Sequence, residues 1–224
     1  MNYSKAVTFS YDDGIEQDRR LVEMFNYYHM KCTFNLNTGI QTPDSFFDIN
    51  GVRIHRMPQE GLEKLYKGHE IAVHGLMHTA PDQLSEKELE QEFLTDAKNI
   101  ERLYGKYPVG MAYAYGVVTE EATRYLTTIG IHYARTVGVT HNFELPRDPM
   151  HLEATCHHDD ERLFELAEEF LQRPANAANP MLFYIWGHSY ELEVNQNWDR
   201  MEKLCEMLAG KEGIFYGTNA ECLL

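Results

Sequence analysis

The 224-residue chain has no run of about 18 apolar side chains, the length a helix needs to cross a bilayer. No membrane span is therefore expected. Positive charge is scarce: 20 lysines and arginines stand against 35 acidic residues, for a net charge of −15. Without a basic stripe, a nucleic-acid partner is not expected, and the overall field would repel large polyanions. A neutral small molecule or oligosaccharide suits this chain better. Cysteine is scarce too, and Cys32, Cys156, Cys205 and Cys222 form no CxxC pair. They read as free, buried thiols of a cytoplasmic protein. The opening MNYSKAVTF enters an expected strand within a few residues, leaving no room for a secretory leader. With no repeat, low-complexity tract or linker, residues 1–224 read as one domain. Nothing in the sequence fixes the oligomeric state.

What is present is alternation. Short apolar runs at Ala6–Ser10, Cys32–Leu36, Glu70–His74, Val109–Ala114, Ile131–Arg135, His151–Thr155, Met181–Gly187 and Ile214–Tyr216 read as strands. Amphipathic stretches near residues 18–29, 58–67, 85–104, 119–129, 159–172 and 196–209 read as helices. Ser85 and Glu88 have capping-box spacing, and Leu89, Phe93, Ile100 and Leu103 then recur on one helical face. Strand–helix alternation of this kind predicts an α/β fold with a mostly parallel sheet. Seven or eight strands suit a (β/α) barrel, but 224 residues fall below the ~250 typical of that fold, so a distorted barrel is expected. Residues 37–57 are rich in turn formers and are expected to carry a small hairpin over the barrel mouth. Residues 137–150 read as a second irregular insertion.

Polar residues collect at the expected carboxyl ends of strands, where barrel enzymes place catalytic groups. Asp12 and Asp13 follow the first strand, and His74 and His78 the third. Tyr115 and Gly116 follow the fourth, Arg135 ends the fifth and His188 follows the seventh. Successive side chains on an extended strand face opposite sides. On that rule one of the two aspartates ligates a metal while the other stays free as a base. Two imidazoles and a carboxylate leave positions open for water and substrate, which describes a hydrolytic centre for a divalent metal, Zn²⁺ first. Taken alone, Asp12–Asp13–Gly14 also suits a plain turn, and HxxxH suits two structural histidines. Tyr113, Tyr115, Trp186 and Tyr190 gather near the mouth, where they can stack on sugar rings or pack the core. His157-His158-Asp159-Asp160 has the residue types to bind metal, but it opens a helix, so its aspartates are expected to cap free N–H groups.

The segments TFSYDDG (8–14), HGLMH (74–78), MAYAYG (111–116) and IWGHS (185–189), in this order, resemble the motifs of the polysaccharide deacetylase (NodB-homology) family. The resemblance implies a single catalytic domain with a distorted (β/α) barrel that uses a divalent metal to remove acetyl groups from N- or O-acetylated sugars. Asp13, His74 and His78 would be the metal ligands, Asp12 the general base and His188 the general acid. Tyr115 would lend its backbone N–H to the oxyanion, with Gly116 and Trp186 beside the substrate.

The chain departs from the family pattern in several places. An arginine usually precedes the third motif and orients the base aspartate, but Met111-Ala112-Tyr113-Ala114 stand there. Arg135, at the next strand end, is expected to reach across to Asp12, a structural arginine being the alternative. Ile15 replaces the usual proline after the aspartates. The Asp-Trp pair that would tune the acid histidine is not recognisable; Glu191 is a substitute or else a solvent-facing carboxylate. Three other functions share this pattern: hydrolysis of another non-peptide amide, cyclic ones included; sugar binding at a silent site; and non-haem iron oxygenation, which also uses two histidines and a carboxylate.

Overall fold

A computed structural model describes residues 3–224. Along the chain run β1 (Lys5–Asp12), α1 (Asp18–Tyr27), β2 (Cys32–Leu36), β3 (Phe46–Ile49), β4 (Val52–His55), α2 (Leu62–Leu65), β5 (Glu70–Val73) and α3 (Glu86–Leu89). A π-helical turn (Glu90–Leu94) leads into α4 (Thr95–Tyr104), followed by β6 (Gly110–Ala112), α5 (Glu120–Thr128), β7 (Tyr133–Val139), β8 (Leu152–Ala154), β9 (Cys156–His157) and α6 (Leu163–Gln172). The chain ends with β10 (Met181–Gly187), α7 (Ser189–Val194), α8 (Trp198–Leu208), β11 (Phe215–Tyr216) and α9 (Asn219–Leu223).

The main sheet is parallel, in the order β8-β7-β6-β5-β2-β1-β10-β9, with β11 beside β1. Its two ends belong to one stretch of chain. Only Thr155 separates β8 from β9, and its amide donates to the Tyr184 carbonyl on β10 at 2.8 Å. The ladder thus returns on itself as a distorted barrel. The distortion is visible in β7, whose register against β8 shifts between Arg135 and Val139. That strand runs past Arg135, so part of the expected 137–150 insertion is regular.

Strand alternation sorts the barrel walls. Val7, Phe9 and Tyr11 of β1 face outward into an apolar layer with Leu21 and Phe25 of α1, Leu166 and Phe170 of α6, and Leu204 of α8. Each such side chain contributes about 1.5–3 kcal/mol on burial. The inward positions are largely polar. Asn219, on α9 at the barrel base, accepts from Thr8 Oγ1 (2.9 Å), donates to Tyr184 Oη (2.7 Å), and gives its amide to Thr33 Oγ1 (2.9 Å). Thr33 and Tyr133 donate to Glu70 at 2.7 and 2.9 Å. Tyr133 fits inside because it faces Gly110, where an added Cβ would lie 1.9 Å from the ring.

The expected hairpin is β3–β4, an antiparallel pair joined to the barrel by the Ile15–Arg56 bridge. The capping box of Ser85 and Glu88 is formed. All four cysteines are free and buried, and among the described residues no helix is long and apolar enough to cross a membrane.

Candidate active site

At the carboxyl end of the barrel, Asp12, Asp13, Phe47, Arg56, His74, His78, Tyr113, Tyr115, Val137, Trp186, His188 and Tyr190 line a cleft of about 390 Å³. A roomier hollow of about 630 Å³ beside Phe143, Arg147 and Asn176 holds no comparable set of titratable groups.

Both aspartates face this cleft, which corrects the expectation that they must diverge. The alternation rule holds only while the backbone stays extended. Asp13 has φ 81° and Gly14 φ 63°, so the chain turns sharply at the end of β1 and swings the second carboxylate back beside the first. Gly14 is required there: besides its positive φ, a Cβ would lie 2.4 Å from Gln41 Nε2. His78 (φ 60°) and Tyr115 (φ 57°) share this left-handed conformation. Backbone strain of this kind collects at functional sites.

Asp13 Oδ1 lies 3.9 Å from His74 Nε2 and 3.8 Å from His78 Nε2. It is buried and has no hydrogen-bond partner. His74 Nδ1 donates to the Ala112 carbonyl at 2.8 Å, which fixes the tautomer and leaves Nε2 a lone pair facing Asp13. Burial, then neighbouring His74, push His78 down to about 4, so its ring is neutral. An imidazole pair around a carboxylate oxygen that has no hydrogen-bond partner is a donor set that fits a divalent cation such as Zn²⁺.

The loop carrying the two histidines is gripped from the π-bulged helix, a feature not legible in the motif itself. Glu92 Oε1 accepts the Met77 and Thr79 amides at 2.9 and 3.0 Å. Asp96 accepts from the Thr38 amide (2.8 Å) and hydroxyl (2.6 Å) and from the His74 amide (3.3 Å). The widened turn at Glu90–Leu94 lies under the histidine loop, as π-bulges often lie at functional sites.

Asp12 is 3% exposed. Arg135 Nη2 donates to its two oxygens at 2.6 and 2.5 Å, and Asn35 Nδ2 donates to Oδ1 at 2.8 Å. Burial alone would raise the Asp12 pKa, but Arg135, then His74 and His188, outweigh it and hold the carboxyl down to about 2. Arg135 reaches Asp12 from inside the barrel wall. Its Nε also donates to Ser10 Oγ (3.2 Å), and the guanidinium lies 4.5 Å from the centre of the Trp186 ring. Trp186 therefore forms the floor over this pair.

His188 follows β10, with Nε2 3.8 Å from Asp12 Oδ2 and Nδ1 3.3 Å from Glu191 Oε2. Burial opposes its protonation, yet Glu191, Asp12 and Asp13 lift it to about 9. Glu191 is no solvent-facing carboxylate. It accepts the His188 amide at 2.9 Å and lies 3.1 Å from His157 Nε2 and 3.5 Å from His158 Nε2. The helix expected to open at residue 159 begins at Leu163, so only Asp160 meets a free amide there, that of Arg162 (2.9 Å). Asp159 instead accepts from Asn195 and Asn197, both at 2.6 Å.

The expected aromatic set divides. Tyr115 is 67% exposed at the rim, its ring against His78 (4.6 Å between centroids), and Tyr190 packs on His188 (5.2 Å). Tyr113 instead points its hydroxyl to the Met150 carbonyl (3.1 Å) in the outer core, so its ring is packing. Gly116 does not line the cleft; a Cβ there would lie 2.6 Å from Val137 Cγ2, and its part is to let the loop pass β7. Two lining residues, Phe47 and Arg56, come from the β3–β4 hairpin and carry no signal in the strand-end pattern.

Sequence comparison matches residues 2–134 to the family described as polysaccharide deacetylase. No curated protein matches the sequence. Among solved structures, the chain is similar to a peptidoglycan N-acetylglucosamine deacetylase bound to 4-naphthalen-1-yl-N-oxidanyl-benzamide, at 17% identity and a TM-score of 0.64, over 98% of this chain and 88% of that one. It is similar to a family 4 acetyl xylan esterase from Clostridium thermocellum in complex with a cobalt ion, at 14% identity and a TM-score of 0.61, over 96% and 89%. A mutant of a CE4 family pseudoenzyme with restored enzymatic activity matches at 14% identity and a TM-score of 0.59, over 100% and 68%. At these identities the likeness is one of fold.

Proposed function

Because the chain belongs to the polysaccharide deacetylase family, we propose that it is a metal-dependent hydrolase that removes an acetyl group from an N- or O-acetylated carbohydrate. The observation that carries this reading is the unpartnered Asp13 Oδ1, 3.8–3.9 Å from two imidazole nitrogens and next to a separately held carboxylate. Asp13, His74 and His78 would hold the divalent ion, Zn²⁺ by donor type. When bound, it supplies Lewis-acid polarisation of the acetyl carbonyl and lowers the pKa of a water to about 7.

The chain's own residues divide the remaining work. Asp12, ionised and fixed by Arg135 and Asn35, takes the proton of the attacking water as its oxygen bonds to the acetyl carbon. Arg135 is a positioning residue: its planar fork keeps the carboxylate aimed at the cleft. His188, kept protonated by Glu191, gives a proton to the leaving nitrogen or oxygen as the acetyl bond breaks. Acetate and the free amine or hydroxyl result. The Tyr115 amide is the proposed donor to the carbonyl oxygen, and Trp186 and Tyr190 form apolar walls for the sugar ring. A silent binding protein would have no use for a buried base and a protonated acid held 3.8 Å apart in one cleft. Cytoplasmic location, suited to four free thiols, is part of the proposal.

The test is to strip the protein with a chelator, reload it with Zn²⁺ or Co²⁺, and measure acetate release from N-acetylated chito-oligosaccharides and acetylated xylan, with a cyclic amide as the rival substrate. Acetate release that appears only in the reloaded protein supports the reading. A fully loaded protein that releases none, or hydrolyses only the cyclic amide, overturns it.

A further inference from the structure

Arg56 has no assigned task, and its setting is unusual. Its side chain is 12% exposed, and its guanidinium lies 4.8 Å from the centre of the Phe47 ring. Its Nε is buried without a hydrogen-bond partner. The sole ion pair it makes among the described residues is with Asp13 Oδ1 at 3.7 Å, beyond hydrogen-bonding reach. A guanidinium presents five N–H donors in a rigid fork, and leaving a buried donor unsatisfied is costly. Arg135, the other arginine near this site, has its donors engaged by Asp12, Ser10 and the Thr136 carbonyl. Arg56 has donors to spare, and its side chain lines the cleft.

The local charge points the same way. Two carboxylates, Asp12 and Asp13, face two guanidiniums, Arg135 and Arg56, so these four groups cancel. His188 and Glu191 form a further opposed pair. The divalent ion proposed above would then make the cleft net positive, although the whole chain carries −15. It would also draw the Asp13 charge to itself and release Arg56 from its one partner. A cleft walled by low-dielectric protein focuses such a local field on its ligand.

We infer that Arg56 receives a carboxylate carried by the substrate, so that the preferred substrate is an acidic acetylated saccharide. The inference rests on the deacetylase reading and deepens it. The carboxylate can come from a uronic acid on the neighbouring sugar or from an acidic ether on the acetylated sugar itself. Phe47 holds the guanidinium plane and the β3–β4 hairpin carries both residues, which makes the hairpin the specificity element.

Three probes distinguish these sources: a disaccharide of N-acetylglucosamine and glucuronic acid, the same disaccharide with glucose, and N-acetylmuramic acid. The zinc-loaded wild type is expected to favour at least one acidic probe over the neutral one by about tenfold to a hundredfold in kcat/KM, the range of a charged hydrogen bond. The preference should reside in KM, and whichever acidic probe shows it names the source. In Arg56→Gln the acidic-to-neutral ratio should collapse towards one, and Arg56→Lys, which keeps charge without the fork, should fall between. Calorimetric binding of the same probes gives a second readout independent of turnover. If no probe releases acetate yet the wild type binds an acidic probe more tightly and Arg56→Gln does not, the deacetylase reading fails and the Arg56 assignment stands. A wild type with no acidic preference in rate or binding, or an Arg56→Gln protein that keeps the preference, overturns it.

Discussion

Two clusters near the barrel mouth contain two histidines and a carboxylate each, Asp13–His74–His78 and His157–His158–Glu191, and in each the candidate ligand atoms lie within 4.8 Å of one another. In kinds of ligand atom they match. Their hydrogen bonds separate them. In the first, the Ala112 carbonyl takes the Nδ1 proton of His74 and leaves a lone pair facing an unpartnered oxygen. In the second, His157 Nδ1 accepts the Asp159 amide at 3.2 Å, and His158 Nδ1 lies 2.9 Å from the Tyr11 hydroxyl, which burial keeps protonated. With Nδ1 accepting, each ring carries its proton on Nε2, towards Glu191. The second cluster is therefore a carboxylate surrounded by N–H groups, built to hold an anion next to His188 rather than a cation. What lies behind each ring decides which face it offers.

The largest test of this contrast is metal content. His74→Ala/His78→Ala should lose its ion and all measurable turnover, whereas His157→Ala/His158→Ala should keep about one ion per chain by elemental analysis. Retention in the first double mutant, or loss confined to the second, would reverse the assignment.

Asp12→Asn comes next. It should keep the ion and lose about a hundredfold to ten-thousandfold in kcat, because the amide cannot take the water's proton. Near-normal kcat with the ion present would move the base elsewhere.

Arg135→Met sharpens the difference between a carboxylate held by a guanidinium and one held by imidazoles. It should keep the ion, slow turnover by about tenfold to a hundredfold through a misplaced base, and destabilise the fold by about 3–5 kcal/mol because Asp12 stays buried without its partner. Asp12 also sets a pH dependence. Its folded pKa is depressed from 3.8 to about 2, so its stabilising contribution, roughly 2 kcal/mol, is fully present above pH 4 and lost as pH falls through 2. Acid denaturation of Arg135→Met should begin at higher pH than in the wild type; coincident acid transitions would deny the pairing.

The smallest effect is expected from Glu191→Gln. His188 is raised from 6.5 to about 9, so it stays protonated to about that pH, and any stability this brings is fully present below pH 6.5 and is lost as pH rises through about 9. Removing the neighbouring charge should shift the alkaline limb of the pH–rate profile to lower pH, with only a severalfold loss near neutrality. An unmoved limb would mean that Glu191 has no hold on the acid.

Much of the fold was legible because outer faces follow simple periods. Cys32–Leu36 and Met181–Gly187 read directly as strands, and the 85–104 helix declared its start through Ser85 and Glu88. The inner faces were harder. Thr8, Ser10, Thr33, Asn35 and Glu70 have the polarity of solvent-facing residues, yet they fill a barrel where hydrogen bonds replace water. The short helices Ser189–Val194 and Asn219–Leu223 leave no mark in the sequence pattern because neither is long enough to show a period. In the cleft, the strand-end rule located Asp12, Asp13, His74, His78 and His188. It failed for the direction of Asp13, where a left-handed residue breaks alternation, and for Phe47 and Arg56, which arrive on a hairpin that local sequence cannot aim.

The Asn219 plug also bears on how the molecule breathes. A helix of only five residues would ordinarily fray, exchanging its amide hydrogens within moments. Here the Asn219 amide is bound to Thr33 and the Ala220 amide to Glu70, both on strands of the barrel wall. Those two hydrogens can leave only when the base of the barrel opens, so they should exchange with deuterium as slowly as the amides of the central strands. In this protein a helix of five residues keeps the time of the core.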